Sequence, residues 1–518
     1  MSNISRSGFD LEKMSFISFL VLIVWVPLPL ASNRFWAISI IEVWIFLLSI
    51  VLCVAYLKGK LEISPVLIKA KPAVILLISW LVILFLQIVP LPPTLIEAIS
   101  PERSASYNSL GPFLGLSGQW LSLSENTSVS LQYFVKSISY ILLFGLSLQL
   151  VNTRNRVKLL ALTIVYCTLF QAMFASLMTL SGVEYGFFIK KETGVGVATG
   201  TFVNRNHLAA YLNMGIAVTV GLLISRLGRG GSITGYKQWY RRIIQLLLSK
   251  KAILRIYVAL MTVTLVLTHS RMGNATIMIS LTLASILSLF LTQHARKTMV
   301  ILTISIIVID ISIISSWYGL DKVVSRIEQT VPPRIEQILP PQIEQTLEPR
   351  IEQSLPPLIK QTLTPLIEQT SHKAEVRYEV FSYTMNQIND YFYLGSGGGT
   401  YKYIFPKYRG GDIKLYFDHA HNDFLEIASE TGVIGLALLV SLVLVTLFTG
   451  IKALSLRRDP LMIGMAFSSI MGVLAISIHS IVDFNLQIPA NAITFIVLLS
   501  LSWIARYKSH HRTNAEVT

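Results

Sequence analysis

The stretch "FDHAHNDFLEIASETGVIG", Phe417 to Gly435, holds two histidines, two aspartates, an asparagine and two glutamates. It runs straight into an apolar segment that begins at Val433. Asp423 and Glu426 have the D-x-x-E spacing of a capping box, which predicts a short helix from Asp423 to Thr431-Gly432. His421 and Asn422 then sit just ahead of the helix N-terminus, where the positive end of the dipole disfavours imidazolium and attracts an anion. His421 is thus placed to accept a proton. Two arginines complete a possible chemistry. Arg205 lies in "GTFVNRNHLAAY" (Gly200–Tyr211), flanked by Asn204 and Asn206, and Arg271 lies in "HSRMGN". A guanidinium beside hydrocarbon needs an anionic partner, and its fork of donors matches the oxygens of a diphosphate. Two arginines and a histidine on one membrane face would make a lipid-diphosphate site with a general base.

Simpler readings compete. Arg205 and Arg271 can snorkel or pair with Asp418, Asp423 or Glu430. His419, His421 and Asp423 can hold a metal, although no other His or Cys pair stands at ligand spacing on that side. His207 and His269 read as satisfied polar residues at span ends.

The elements that must position these groups are membrane helices. Mean hydropathy is +0.61, with 53% hydrophobic and 14% charged residues, outside the range of soluble globular chains. Apolar runs of span length fall near 14–30, 36–57, 73–90, 129–151, 157–180, 207–225, 252–268, 275–292, 298–318, 433–451, 461–480 and 488–505. The fold class predicted is an all-α integral membrane protein of about 12 transmembrane helices, with one large periplasmic loop between the ninth and tenth. The first run has a basic lead-in like a signal peptide, but "PLPLASNRFW" lacks a small-x-small cleavage pattern and the run reads as a retained span. Cys53 and Cys167, each inside an apolar run, fit small core residues rather than a disulfide or a metal knuckle.

Lys and Arg concentrate in the loops 58–71, 152–158, 226–255, 293–297 and 452–459 and in the C-terminal "RYKSHHR", each after an even-numbered run. The bias predicts a multi-pass membrane protein with both termini cytoplasmic. It also accounts for the net charge of +15 without nucleic acid as a partner. The 226–255 loop, with Trp239, Tyr240 and "IIQLLL" among its charges, resembles a helix lying on anionic membrane lipids. The motifs above then face the periplasm, as do residues 91–128, 181–206 and 319–431.

The 319–431 segment contains an octapeptide repeat from Arg326 to Thr370, "RIEQTVPP RIEQILPP QIEQTLEP RIEQSLPP LIKQTLTP" and a partial "LIEQT". Proline at every eighth residue forbids a continuous helix, and the repeat reads as a spacer ahead of a stalk or a sugar-binding array. After it, Ser371–Tyr393 reads as an amphipathic surface helix carrying Arg377, placed among the substrate-binding residues. "LGSGGGTY" (Leu394–Tyr401) lacks Walker spacing and reads as a flexible turn where backbone can approach a ligand. The chain divides into 1–128 (N-terminal helices and first outer loop), 129–318 (central helices with the Arg-bearing loops), 319–432 (large loop) and 433–518 (C-terminal helices).

At these motifs the chain resembles the O-antigen ligase and polymerase family of bacterial cell-envelope glycosyltransferases. That family's pattern of His, then Asn, Ser or Gln, then nine residues, Gly, two residues and a small residue is met by His421-Asn422, Gly432 and Gly435. "GTFVNRNHLA" and "SRMG" are similar to its arginine-bearing outer loops, and the likeness covers roughly Thr163 to Ile451. The resemblance implies metal-independent, inverting transfer of a glycan from undecaprenyl diphosphate to an acceptor hydroxyl, with no cofactor. His421 would be the base, and Arg205 and Arg271 would hold the diphosphate. Asn204, Asn206, His419, Asn422, Asp423 and Arg377 would line the substrate. The acceptor stays open between lipid A–core, a growing glycan and a protein hydroxyl, so ligase and polymerase are both carried. The octapeptide insert departs from the family. A transporter of lipid-linked glycan is the alternative of another class: Glu42, Lys136 and Asp310 lie in or near spans, and His479 and Asp483 are spaced one helical turn apart. Against it, no two-halved repeat is evident and the richest polar cluster lies outside the midplane.

Overall fold

The computed structural model describes residues 2–114, 119–186, 189–191, 195–226, 250–291, 378–411 and 416–508, with isolated positions 300, 304 and 413. The expected span at 298–318, the octapeptide repeat, Asp310, Arg377 and most of the 226–255 loop lie outside the described residues.

Every other expected span is a helix. In chain order they are α1 (Ser2–Trp25), α2 (Phe35–Leu57), short α3 (Pro65–Lys69), α4 (Lys71–Ile88), outer α5 (Pro93–Ile99) and α6 (Pro101–Leu114), α7 (Thr127–Leu150), α8 (Arg154–Ser181), α9 (Arg205–Ile224), α10 (Lys250–Leu267) and α11 (Arg271–Leu291). Then come outer α12 (378–390), outer α13 (Tyr401–Tyr408), α14 (Asp423–Leu456), α15 (Pro460–His479) and α16 (Pro489–Tyr507). Among the described residues, 9 of these are long and apolar enough to cross a membrane. α1 and α10 match two more expected spans but carry Asp10, Glu12 and Lys13, or Lys250, Lys251 and Arg255, near their starts. α1 also ends at Trp25, five residues early, because Pro27 and Pro29 cannot continue it. Among the described residues the one small sheet is a hairpin of β1 (Tyr185–Gly186) and β2 (Ile189–Lys190), closed by an ion pair of Lys191 with Glu184 at 2.8 Å.

Helix starts follow side-chain caps. Asn126, Thr153, Asn204, Asn422 and Asp459 each accept a backbone N–H from the first turn they precede. α2 shows how the bundle meets lipid: Ile41, Ile45, Leu48 and Leu52 are buried, whereas Ile40, Val43, Leu47, Ile50 and Val54 face outward. Cys53 lies on that exposed face, so it is not the core residue expected, while Cys167 is buried. α9 is the central post, buried over a whole span-length window. It packs backbone to backbone on α15: a Cβ on Gly221 would lie 2.2 Å from the Gly464 carbonyl oxygen. Small residues that allow such approach are the usual means of joining helices in lipid.

The loops sort to two ends. At one end Arg154 pairs with Asp459, and Arg156 meets Glu12 at 2.5 Å and Asn152 at 3.1 Å. Gln149 accepts from Ser64 N–H at 2.8 Å, and Arg457 donates to the Arg506 and Lys508 carbonyls. The basic loops thus meet one another, as their alternation along the sequence requires.

At the other end the outer segments form a cap. Glu125 takes Arg103 and the Tyr391 hydroxyl, each at 2.6 Å, and Lys407 pairs with Glu102. Under this cap the "LGSGGGTY" run differs from expectation. It is a packed corner, with Gly395 to Gly398 buried. Gln87 of α4 donates to the Leu394 and Glu430 carbonyls at 2.5 and 2.8 Å and accepts from Gly398 N–H at 3.0 Å. Positive φ at Gly395, Gly397 and Gly399 lets the chain turn here. A Cβ on Gly395 would sit 2.2 Å from the Glu430 backbone, so the close approach is to the protein itself.

Candidate active site

The short helix read from Asp423 to Thr431 exists, but it is continuous with the following span across a kink at Gly432, whose φ and ψ are 70° and 176°. Asn422 caps it, accepting from Phe424 and Leu425 N–H at 2.9 and 3.1 Å. His421 precedes the cap with φ of 51°, a conformation that costs a residue with a side chain free energy and is commoner at functional positions. His269, two residues before Arg271, shares it with φ of 52°.

The centre of the polar cluster is a residue the sequence put elsewhere. Asp483 was paired with His479 as one turn of a helix. α15 instead ends at His479, and Asp483 lies in the turn leading to α16. Its Oδ1 is 3.4 Å from His421 Nδ1 and accepts Phe484 N–H at 2.9 Å; its Oδ2 accepts from Asn206 Nδ2 at 2.7 Å. His207 Nε2 lies 3.9 Å from the same Oδ1. Burial alone would push this carboxyl up, but the His421 hydrogen bond and the imidazoles of His207, His421 and His479 hold it well below the usual carboxylate range. An ionised Asp483 orients His421 with its proton on Nδ1, which leaves Nε2 as the acceptor. Phe484 is the second element no motif announced: its ring is stacked on His419 at 4.3 Å and meets the edges of His207 and His421 at 4.7 and 4.9 Å.

Both arginines head helices, Arg205 that of α9 and Arg271 that of α11, and both are exposed. The first turn of α11 lies against the second and third turns of α9. Asn213 Nδ2 donates to the Gly273 carbonyl at 2.8 Å, and a Cβ on Gly273 would be 2.5 Å from that of Ala209. Asn206, next to Arg205, reaches Asp483, so the three motifs come to one end of the bundle.

The residues grouped as substrate-binding have other work. Asn204 and Asn422 cap helices, and Asn206 holds Asp483. Buried Asp423 accepts Leu486 N–H at 3.0 Å and gives its own N–H to the Ser480 carbonyl at 2.9 Å. His419 Nδ1 meets Glu426 Oε1 at 2.7 Å, while Glu426 Oε2 accepts Ala420 N–H at 2.9 Å. His419, His421 and Asp423, the trio weighed as metal ligands, therefore turn to three different partners.

The His419–Glu426 pair has a testable titration. Burial opposes the imidazolium, yet the Glu426 carboxylate outweighs it and His419 is raised to about 9 from the ordinary 6.5. A raised folded value means the pair contributes fully below the unfolded value and is lost as pH rises through about 9. Hydrogen exchange at Ala420 N–H, corrected for its intrinsic rate, should accelerate across that window in the wild type. His419→Gln should exchange faster throughout and show no such step.

A family model described as O-antigen ligase matches residues 256–440, which include Arg271 and His421. The match over this segment supports the O-antigen ligase family. No curated protein matches the chain significantly. Arg205, Asn206 and Asp483 lie outside the matched segment, and only the geometry joins them to the O-antigen ligase motif at His421.

Proposed function

We propose that the protein moves a glycan from undecaprenyl diphosphate to an acceptor hydroxyl on the periplasmic face of the inner membrane. The O-antigen ligase match over residues 256–440 supports a glycosyltransferase of ligase or polymerase type. The observation that carries the finer reading is His421 held by a buried, ionised Asp483 at the same end as two arginine-headed helices. The opposite end gathers the basic loops, and the positive-inside bias puts that end and both termini in the cytoplasm.

In the proposed reaction His421 Nε2 takes the proton as the acceptor O–H bond breaks. The acceptor oxygen forms a bond to the anomeric carbon while the bond from that carbon to the diphosphate oxygen breaks. The leaving electron pair goes to the diphosphate, where Arg205 and Arg271 take the charge that a divalent cation would otherwise take. A single displacement inverts the anomeric centre. The acceptor is lipid A–core for a ligase or the end of a growing glycan for a polymerase.

The test is transfer by the purified full-length chain from a synthetic undecaprenyl-diphosphate oligosaccharide, with EDTA present and each acceptor offered separately. Wild type should make product with one acceptor. His421→Ala should lose about 10²–10⁴-fold in rate, the usual contribution of a general base. Arg205→Ala and Arg271→Ala should each lose about 10²-fold, as for one charge-stabilising donor. Donor bound by the wild type without transfer to any acceptor would favour a carrier of lipid-linked glycan.

A further inference from the structure

The first turn of α9 addresses two sites with successive residues. Arg205 heads the helix, Asn206 binds Asp483 Oδ2 at 2.7 Å, and His207 sits 3.9 Å from Asp483 Oδ1. Asn204 caps the turn, and Asn491 Nδ2 of α16 donates to the His207 carbonyl at 3.2 Å. Across from it, His421 meets the turn after α15 through Asp483 Oδ1 at 3.4 Å and the Phe484 ring at 4.9 Å, and Phe417 of its own loop at 5.9 Å. The path from the arginine helix to the histidine loop therefore runs through Asp483 and Phe484.

We propose that this turn of α9 links donor binding to alignment of the base, with Asn206 and Phe484 as positioning residues that carry the placement of Arg205 to His421. The proposal rests on the roles given above to Arg205 and His421. An anion drawn to Arg205 shifts the start of α9, and Asn206 is bonded to the carboxylate that orients the imidazole. Phe484 acts as a wedge between His207 and His421, so a movement of α9 displaces the imidazole rather than being absorbed by loose packing. A donor site that also sets the base would keep His421 from acting before the diphosphate is in place.

The titratable groups around Asp483 are His207 of α9, His479 at the end of α15 and His421 before α14, with His419, Asp423 and Glu426 in the next ring. Removing the Asn206 donor leaves Asp483 Oδ2 without that partner and makes the carboxylate more basic.

The test uses full-length protein in lipid nanodiscs and sugar-free undecaprenyl diphosphate as the probe. Affinity is read by native mass spectrometry, and the carbethoxylation rate of His421 is mapped by peptide mass spectrometry with and without probe. In wild type the probe should change the His421 labelling rate about tenfold, a typical coupling between sites. Asn206→Ala should bind the probe within about twofold of wild type and lose the change in labelling. Phe484→Leu, which keeps apolar bulk, should also lose the change and serves if Asn206→Ala fails to fold. Labelling that responds to the probe in both variants as in wild type overturns the link. So does wild-type labelling that ignores a bound probe. If wild type does not bind the probe, the donor role of Arg205 falls, and this inference with it.

Discussion

Asp483→Asn is expected to lower the glycan transfer rate by about 10²–10⁴-fold while leaving affinity for undecaprenyl diphosphate unchanged. The substitution keeps the volume of a side chain that is almost wholly buried, so packing survives. What changes is the proton. Asp483 offers only acceptors to His421 Nδ1 at 3.4 Å, which fixes the tautomer with Nε2 free. Asparagine can turn its amide N–H toward Nδ1, driving the imidazole proton to Nε2, where it blocks the atom that must accept the hydroxyl proton. Asn206 Nδ2, which now donates to Oδ2, favours the turned amide by seeking the asparagine oxygen, whereas the Phe484 N–H that donates to Oδ1 opposes it. Because Asp483 acts through His421, the double variant with His421→Ala should be no slower than His421→Ala alone. Independent losses that multiply would mean that Asp483 touches the substrate itself. An unchanged rate in Asp483→Asn would remove the dyad altogether.

The sequence made the helices and the three polar motifs legible, and the reason is periodicity. Span-length apolar runs and the residues that cap them are local signals, so α2, α4, α7 and α16 fall where hydropathy put them. His421, Arg205 and Arg271 stood out because charge beside hydrocarbon is costly and seldom idle. What stayed hidden is tertiary. Asp483 follows α15 by four residues, and nothing local says that it points across to Asn206 and His421. The polar pair His479 and Asp483 at a span end was the available signal, and it counted toward the transporter alternative rather than toward the site. The glycine run misled for the same reason. A local reading of Gly395–Gly399 finds freedom, whereas Gln87, more than three hundred residues upstream, fixes it. Asn204, Asn422 and Asp423 were grouped by nearness to the motif, but their side-chain oxygens face backbone N–H groups.

Gly432→Ala is expected to destabilise the protein by about 3 kcal/mol or more, combining a disfavoured left-handed φ with a steric clash. At φ of 70° a Cβ would stand 2.1 Å from the Tyr393 carbonyl oxygen and 2.5 Å from Leu394 N, both backbone atoms that cannot swing aside. The turn they belong to is pinned: Val433 N–H donates to the Phe392 carbonyl at 2.8 Å, and Gly397 N–H to that of Glu430 at 3.0 Å. Relief must therefore come from straightening the kink, and straightening it swings the 423–431 turn that carries Asn422 and His421. Gly411→Ala is the matched control, since a Cβ there meets nothing within 4 Å and φ is unstrained; it should stay within about 0.5 kcal/mol. Thermal unfolding in detergent reads the first effect. Hydrogen exchange at Val433 and Gly397 reads whether the corner itself has opened. If Gly432→Ala melts like Gly411→Ala, the kink is not set by this glycine. If it melts early but Val433 stays protected, the strain has been taken up elsewhere along α14, and His421 should keep its contact with Asp483.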